Sequence, residues 1–215
     1  GYSMVYGTLR FINFAHGDIF MMAGFFIVYI SASMPMAVAI PVVLLMTVAL
    51  GLLIERAAYK PLRSAPRMSV MISAIGVSYL LQNLATYITG GLARPYPEIP
   101  FLKGTFMLGA LKIKVITVVT PLLTVLLVIA LVLFINHTKT GMAMRAVSRD
   151  FDTARIMGIK VNNIISVTFI IGSFLAGVGS ILYFSNYGQV SPTIGAMPGL
   201  KAFVAAVFGG IGSLP

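Results

Sequence analysis

From Met36 to Ile54 the chain reads MAVAIPVVLLMTVALGLLI, without one ionisable side chain. A helix crosses a hydrocarbon core of about 30 Å with about 20 apolar residues, and this run meets that length. Nothing constrains the fold more. In hydrocarbon an unpaired backbone N–H or C=O costs several kcal/mol, so only helices and closed barrels can span. Comparable runs lie at Asp18 to Ser33, which is somewhat short, and at Met68 to Thr89, Val115 to Ile135 and Ile164 to Phe184. The chain is 59% hydrophobic and 9% charged, whereas an ordinary soluble domain is about 25% charged. These features predict an all-α, polytopic transmembrane helical bundle.

Gly1 to Leu9 and Leu200 to Ile211 are apolar but too short to span. The chain opens inside an apolar run and stops at FGGIGSLP, so it reads as one transmembrane domain over 1–215, truncated at both ends. Arg56, Lys60, Arg63 and Arg67 follow one span, and Lys139, Arg145, Arg149, Arg155 and Lys160 lie between Asn136 and Asn163. Two spans separate the clusters, so both face one side, and the positive-inside rule makes that side cytoplasmic. Arg10 then falls near the cytoplasmic end of the first span. The Ser31 to Pro35 turn and the segment Gly90 to Lys114 face outward, the latter an extended or hairpin excursion by its prolines and the alternation in ALKIKVI.

The net charge of +10 does not point to nucleic acid, because the basic residues sit in short loops and form no stripe with interleaved aromatics. A lipid surface is their partner. With no cysteine there is no disulfide or thiolate metal site, and the only histidines are His16 and His137. No HExxH, GxSxG or Walker A pattern occurs, nor a pair of carboxylates at a useful spacing, so no enzyme site, metal or cofactor is expected.

Four motifs interrupt the apolar pattern. In NFAHGD, Asn13, His16, Gly17 and Asp18 fit either a break in a membrane helix that lines an interior path, or an interfacial turn with Asp18 near a helix start. In the first reading Asn13 satisfies freed backbone groups and Gly17 supplies a bend. In TGMAMRAVSRDFDTARIMGIKVNN, Ala154 and Gly158 are four apart and small, a helical face that another protein's backbone could approach; a plain solvated helix is the alternative. In IIGSFLAGVGSILYF, Gly172, Ala176 and Ser180, with Ser173 and Gly177, predict tight helix packing. The fourth, SPTIGAMPGLKAFVAAVFGGIGSLP, is a short apolar stretch ending at Gly209, Gly210 and Gly212, which fits a re-entrant or broken helix as well as a truncated one. Gln82 and Asn83 suit interhelical hydrogen bonds or a path lining.

Five blocks, GYSMVYGTLRFINFAHGDIFMMAG, ERAAYKPLR, ISAIGVSYLLQN, TGMAMRAVSRDFDTARIMGI and GLKAFVAAVFGGIGSLP, come in this order. Together they resemble the permease subunits of bacterial branched-chain amino acid ABC importers, most of all the smaller of the two permeases. The resemblance runs over essentially the whole chain. It implies an inner-membrane subunit that moves branched-chain amino acids or related small amides. ATP-binding subunits, a second homologous permease and a periplasmic substrate-binding protein are the implied partners. Such permeases dock their ATPases through a cytoplasmic helix with the pattern Glu-Ala-Ala, three residues, Gly. Asp152, Thr153, Ala154 and Gly158 resemble it, with Asp for Glu and Thr for the first Ala, so 136–163 is the implied coupling loop. The competing reading is an ion-coupled secondary transporter in which His16 and Asp18 carry protons or Na⁺.

Overall fold

The computed structural model describes residues 2–9, 12–108 and 111–210. Helix α1 (Tyr2–Leu9) precedes α2 (His16–Ile30); Arg10, placed above at the rim of the first span, lies outside the described residues. Helix α3 (Met36–Ile54) starts behind Pro35. It continues without a break through a π-helical turn (Glu55–Tyr59) and a 3-10 turn (Lys60–Leu62), giving one rod of 27 residues from Met36 to Leu62. Helix α4 (Arg67–Thr89) follows. Beyond it come strands β1 (Arg94–Pro95), β2 (Thr105–Leu108) and β3 (Leu111–Lys114). Next are α5 (Val115–His137), α6 (Lys139–Arg149), α7 (Phe151–Ile156) and α8 (Val161–Tyr187), then β4 (Gln189–Val190) and α9 (Ala196–Phe208).

Among the described residues four helices are long and apolar enough to cross a membrane: Met36–Leu62, Met68–Thr89, Val115–His137 and Val161–Tyr187. The expected span from Asp18 to Ser33 is corrected. Helix α2 has 15 residues, and at about 1.5 Å per residue it falls well short of a hydrocarbon core of about 30 Å. It is the most buried element, packed between α3 and α8, with Ile19, Met21, Ala23 and Ile27 fully covered. Its apolarity therefore reflects enclosure by protein.

The small residues of α8 let α3 come close. Ser173 lies where a side chain on Gly51 would project, and a Cβ on Gly177 would stand 2.9 Å from Leu44 Cδ2 and 3.6 Å from Thr47. By contrast α5 turns Val118, Leu122, Val125, Leu126 and Ile129 outward, as a lipid-facing helix does.

Hydrogen bonds fix the two ends of the bundle. At one end Arg63 pairs with the buried Glu55 and also donates to Asn162 at the start of α8, while Ser166 donates to Glu55 over 3.1 Å. Both basic segments thus meet at the same end, as the spacing of the spans requires. At the other end β1 pairs antiparallel with β4, Arg94 opposite Val190, and Tyr96 N–H donates to Gly188 C=O over 2.9 Å. Of the extended and hairpin alternatives, strands β2 and β3 take the antiparallel pairing, Thr105 opposite Lys114.

Removing one partner of a buried ion pair costs about 3–5 kcal/mol because the other charge is left uncompensated. Glu55→Ala should therefore lower the thermal unfolding temperature of the purified full-length protein, and Glu55→Ala combined with Arg63→Ala should fall short of the sum of the single losses. Unfolding of Glu55→Ala at the wild-type temperature would refute the pairing.

Candidate functional site

Asp18, in the first turn of α2, accepts hydrogen bonds from Ser78 and from Gln82 Nε2 (3.0 Å), and Gln82 also donates to Ser78 (3.2 Å). Ser78 stands at the middle of the 23-residue α4, so α2 begins at mid-depth in the bundle. Gln82 thus bonds between helices, whereas Asn83 donates within its own helix to Tyr79 C=O (2.7 Å).

Gly17 is where α2 meets α9. A Cβ there would lie 2.6 Å from Gly195 O and 3.1 Å from Gly199 Cα, and one on Gly195 would strike Gly17 O. The start of α9 therefore rests on the start of α2, backbone against backbone. Gly195 and Gly199 stand four apart, the spacing that lets membrane helices touch. The bend assigned to Gly17 is corrected: it lies within the first helical turn of α2, with no left-handed backbone. It is small because a carbonyl occupies the place of its side chain.

Asn13 also differs from expectation. Its side-chain Oδ1 accepts from Tyr59 Oη (2.5 Å), tying the turn before α2 to the end of the α3 rod. The freed backbone groups are met by the turn itself: His16 N–H donates to Asn13 C=O and Asp18 N–H to Ala15 C=O, each over 3.1 Å.

His16 faces the ring of Tyr2, centroids 4.8 Å apart and nearly perpendicular. Both edge a cavity of about 170 Å³, with Phe20 from α2, Ala176 from α8, and Pro198 and Gly199 from α9 among its walls. An apolar cavity of about 150 Å³ holds a benzene molecule, so this one has room for a small hydrocarbon group. Among the described residues no cluster of three metal-ligating side chains occurs.

Gly209 closes α9 and Gly210, at φ +85°, begins the next turn; they are well away from the Gly17 contact in sequence, at the far end of the helix. Ile211 and the residues after it, including Gly212, lie outside the described residues.

The segment 136–163 runs from the end of α5 through α6 and α7 to the start of α8, with Met144 and Val147 of α6 buried in the core. Asp150 caps α7, its Oδ1 accepting from Asp152 N–H (2.9 Å) and Thr153 N–H (3.3 Å), its Oδ2 from Thr153 Oγ1 (2.5 Å). The shared face of Ala154 and Gly158 is corrected. Ala154 is buried against the protein's own core, and α7 ends before Gly158. Gly158 has φ +82°, with Ile159 N–H donating to Ala154 C=O (3.1 Å) and Gly158 N–H to Arg155 C=O (3.0 Å). This is the paired closure that ends a helix on a left-handed glycine. The large apolar side chains exposed at the end of α7 are Ile156 (85%) and its C-cap Met157 (76%), beside the exposed Asp152, Thr153 and Arg155.

The family model for the branched-chain amino acid transport system permease component matches residues 1–215. The chain belongs to that family. The high-affinity branched-chain amino acid transport system permease protein BraD of Pseudomonas aeruginosa is 38% identical over 231 residues, covering 100% of this chain and 74% of the relative. The corresponding LivH protein of Escherichia coli strain K12 is 36% identical over 230 residues, again 100% and 74%. A probable LivH permease of Methanocaldococcus jannaschii is 25% identical over 222 residues. No solved structure matches. This permease is a multi-pass membrane protein, and its membership does not favour the ion-coupled alternative for His16 and Asp18.

An added side chain at Gly17 must push a backbone aside, and such overpacking costs typically about 1–3 kcal/mol. Gly17→Ala should measurably lower the unfolding temperature of the permease, and Gly17→Val should lower it further. Gly76→Ala, where a Cβ meets nothing within 4 Å, is the control and should not. Equal behaviour of the Gly17 and Gly76 variants would remove the basis for the α2–α9 contact.

Proposed function

We propose that this permease is the membrane-spanning subunit of an ABC importer in a bacterial inner membrane and that it moves branched-chain amino acids inward. ATP-binding subunits drive it, a periplasmic binding protein delivers the substrate, and a second homologous permease completes the path. The observation that carries this reading is the meeting of two short helices at mid-depth. Helices that begin inside a membrane are tolerated where protein or a water-filled path covers their ends, and α2 and α9 begin together beside a cavity of about 170 Å³. The names of the relatives supply the substrate class.

In this reading the whole chain works as one transmembrane domain, and 136–163 is its cytoplasmic coupling segment. The helix α7 docks the ATPase with Ile156 and Met157 as apolar knobs, while Asp152 and Thr153 lie on its exposed side. Ala154 and Gly158 act from within: one seats the helix on the bundle and the other ends it so that the knobs project. Neither His16 nor Asp18 needs to titrate during transport. The free energy comes from ATP, and Asp18 is engaged in joining α2 to α4.

Full-length permease isolated from its native membrane should bring Walker-motif ATPases with it. In vesicles loaded with ATP the complex should take up leucine, isoleucine and valine with little dependence on an imposed pH gradient. Uptake that follows the proton gradient without ATP would overturn the reading. Ile156→Asp combined with Met157→Asp should abolish co-purification of the ATPase while membrane insertion stays normal, and retention of the ATPase would show that α7 does not dock it.

A further inference from the structure

Asp18 and Lys201 lie on the two short helices that begin inside the bundle, and Glu55 lies on the α3 rod. Asp18 and Glu55 are buried and bonded, Asp18 to Ser78 and Gln82, Glu55 to Arg63 and Ser166. Lys201 is different. It is exposed, and among the described residues no hydrogen bond or ion pair reaches its ammonium group.

Its depth follows from the contacts already given. Gly17 adjoins Asp18, which is bonded to the middle of α4, and Gly199 rests on Gly17. Lys201 is two residues beyond Gly199, a rise of about 3 Å along the helix, so it too stands near mid-depth. Four methylenes cannot carry its ammonium across half of a hydrocarbon core of about 30 Å. A lysine held there against lipid is strongly unfavourable, and such residues face water or a partner. The helical spacing also turns Lys201 to the side of α9 away from Gly195 and Gly199, where Met197, Val204 and Phe208 are exposed.

We propose that Lys201 lines the water-filled path through the permease and holds the carboxylate of the transported amino acid. The inference rests on the proposed import function and adds a chemical criterion to it. A fixed cation at mid-depth favours a solute with a carboxylate over an uncharged amide. Pro198, Gly199 and Ala202 edge the cavity of about 170 Å³ from another side of α9, so Lys201 stands outside that cavity.

The chain contains no cysteine, which makes a direct test clean. Full-length Lys201→Cys permease, assembled with its partners in vesicles, is compared with wild type before and after two water-soluble reagents. One is 2-aminoethyl methanethiosulfonate, which attaches an ammonium through a disulfide, and the other is the 2-sulfonatoethyl analogue, which attaches a sulfonate. Leucine uptake should fall at least tenfold in the variant, recover severalfold with the ammonium reagent only, and saturating leucine should slow the labelling. Lys201→Arg should keep at least half of the wild-type uptake and Lys201→Met should lose it in complexes that retain their ATPase. Absence of labelling by either reagent would place Lys201 against lipid or protein and overturn the proposal. So would wild-type uptake in Lys201→Met, or equal recovery with both reagents. A wild-type complex that imports no branched-chain amino acid would instead overturn the import reading.

Discussion

The arrangement depends on one contact, the backbone of Gly17 against the backbones of Gly195 and Gly199. The first four N–H groups of any helix lack partners within it, and α2 and α9 both present theirs inside the bundle. Each is preceded by a tight turn that supplies carbonyls: Asn13 and Ala15 for α2, Thr193 and Gly195 for α9. The turns then need to be held. Tyr59 holds the first through Asn13, and the seating of Gly195 on Gly17 holds the second. The result is two helix starts sharing one level, with a cavity between them and α8.

Polar groups inside the bundle follow the same logic. An aspartate at the centre of a membrane helix costs about 2.5–3.5 kcal/mol on insertion scales, and Asp18 offsets that by accepting from two donors on α4. Glu55 sits where the α3 rod widens into a π-helical turn, and its carboxylate joins α3 to the start of α8 through Arg63, Ser166 and Asn162. Each carboxylate therefore joins two helices at a defined level, so the sliding of one helix along another would break charge-assisted bonds as well as packing.

At the end where the basic segments meet, the same economy of small parts shapes a surface. Asp150 begins α7 and Gly158 ends it, leaving a helix of six residues with exposed apolar side chains at its end, Ile156 and the C-cap Met157. A helix this short has little intrinsic stability. Its two caps and the burial of Ala154 determine that it exists, and so determine where its tip points.

The sequence by itself determined the solvent and much of the frame. Runs of about 20 apolar residues admit only a helical bundle or a barrel in hydrocarbon, so the long helices were readable within a few residues, Val115 to Ile135 against Val115–His137 and Ile164 to Phe184 against Val161–Tyr187. The polar interruption NFAHGD marked the site, but in the fourth motif the sequence drew attention to Gly209 and Gly210, whereas the contact with Gly17 is made by Gly195 and Gly199. Only the tertiary structure decided what each one does. Hydropathy cannot distinguish burial in lipid from burial in protein, so α2 read as a short span when it is an enclosed helix. Spacing alone cannot distinguish a glycine that bends from a glycine that is touched, nor show that Ala154 faces inward while Ile156 faces out. Those differences are set by partners remote in sequence, Ser78 for Asp18, Tyr59 for Asn13 and Gly195 for Gly17, and the chain brings them together only by folding.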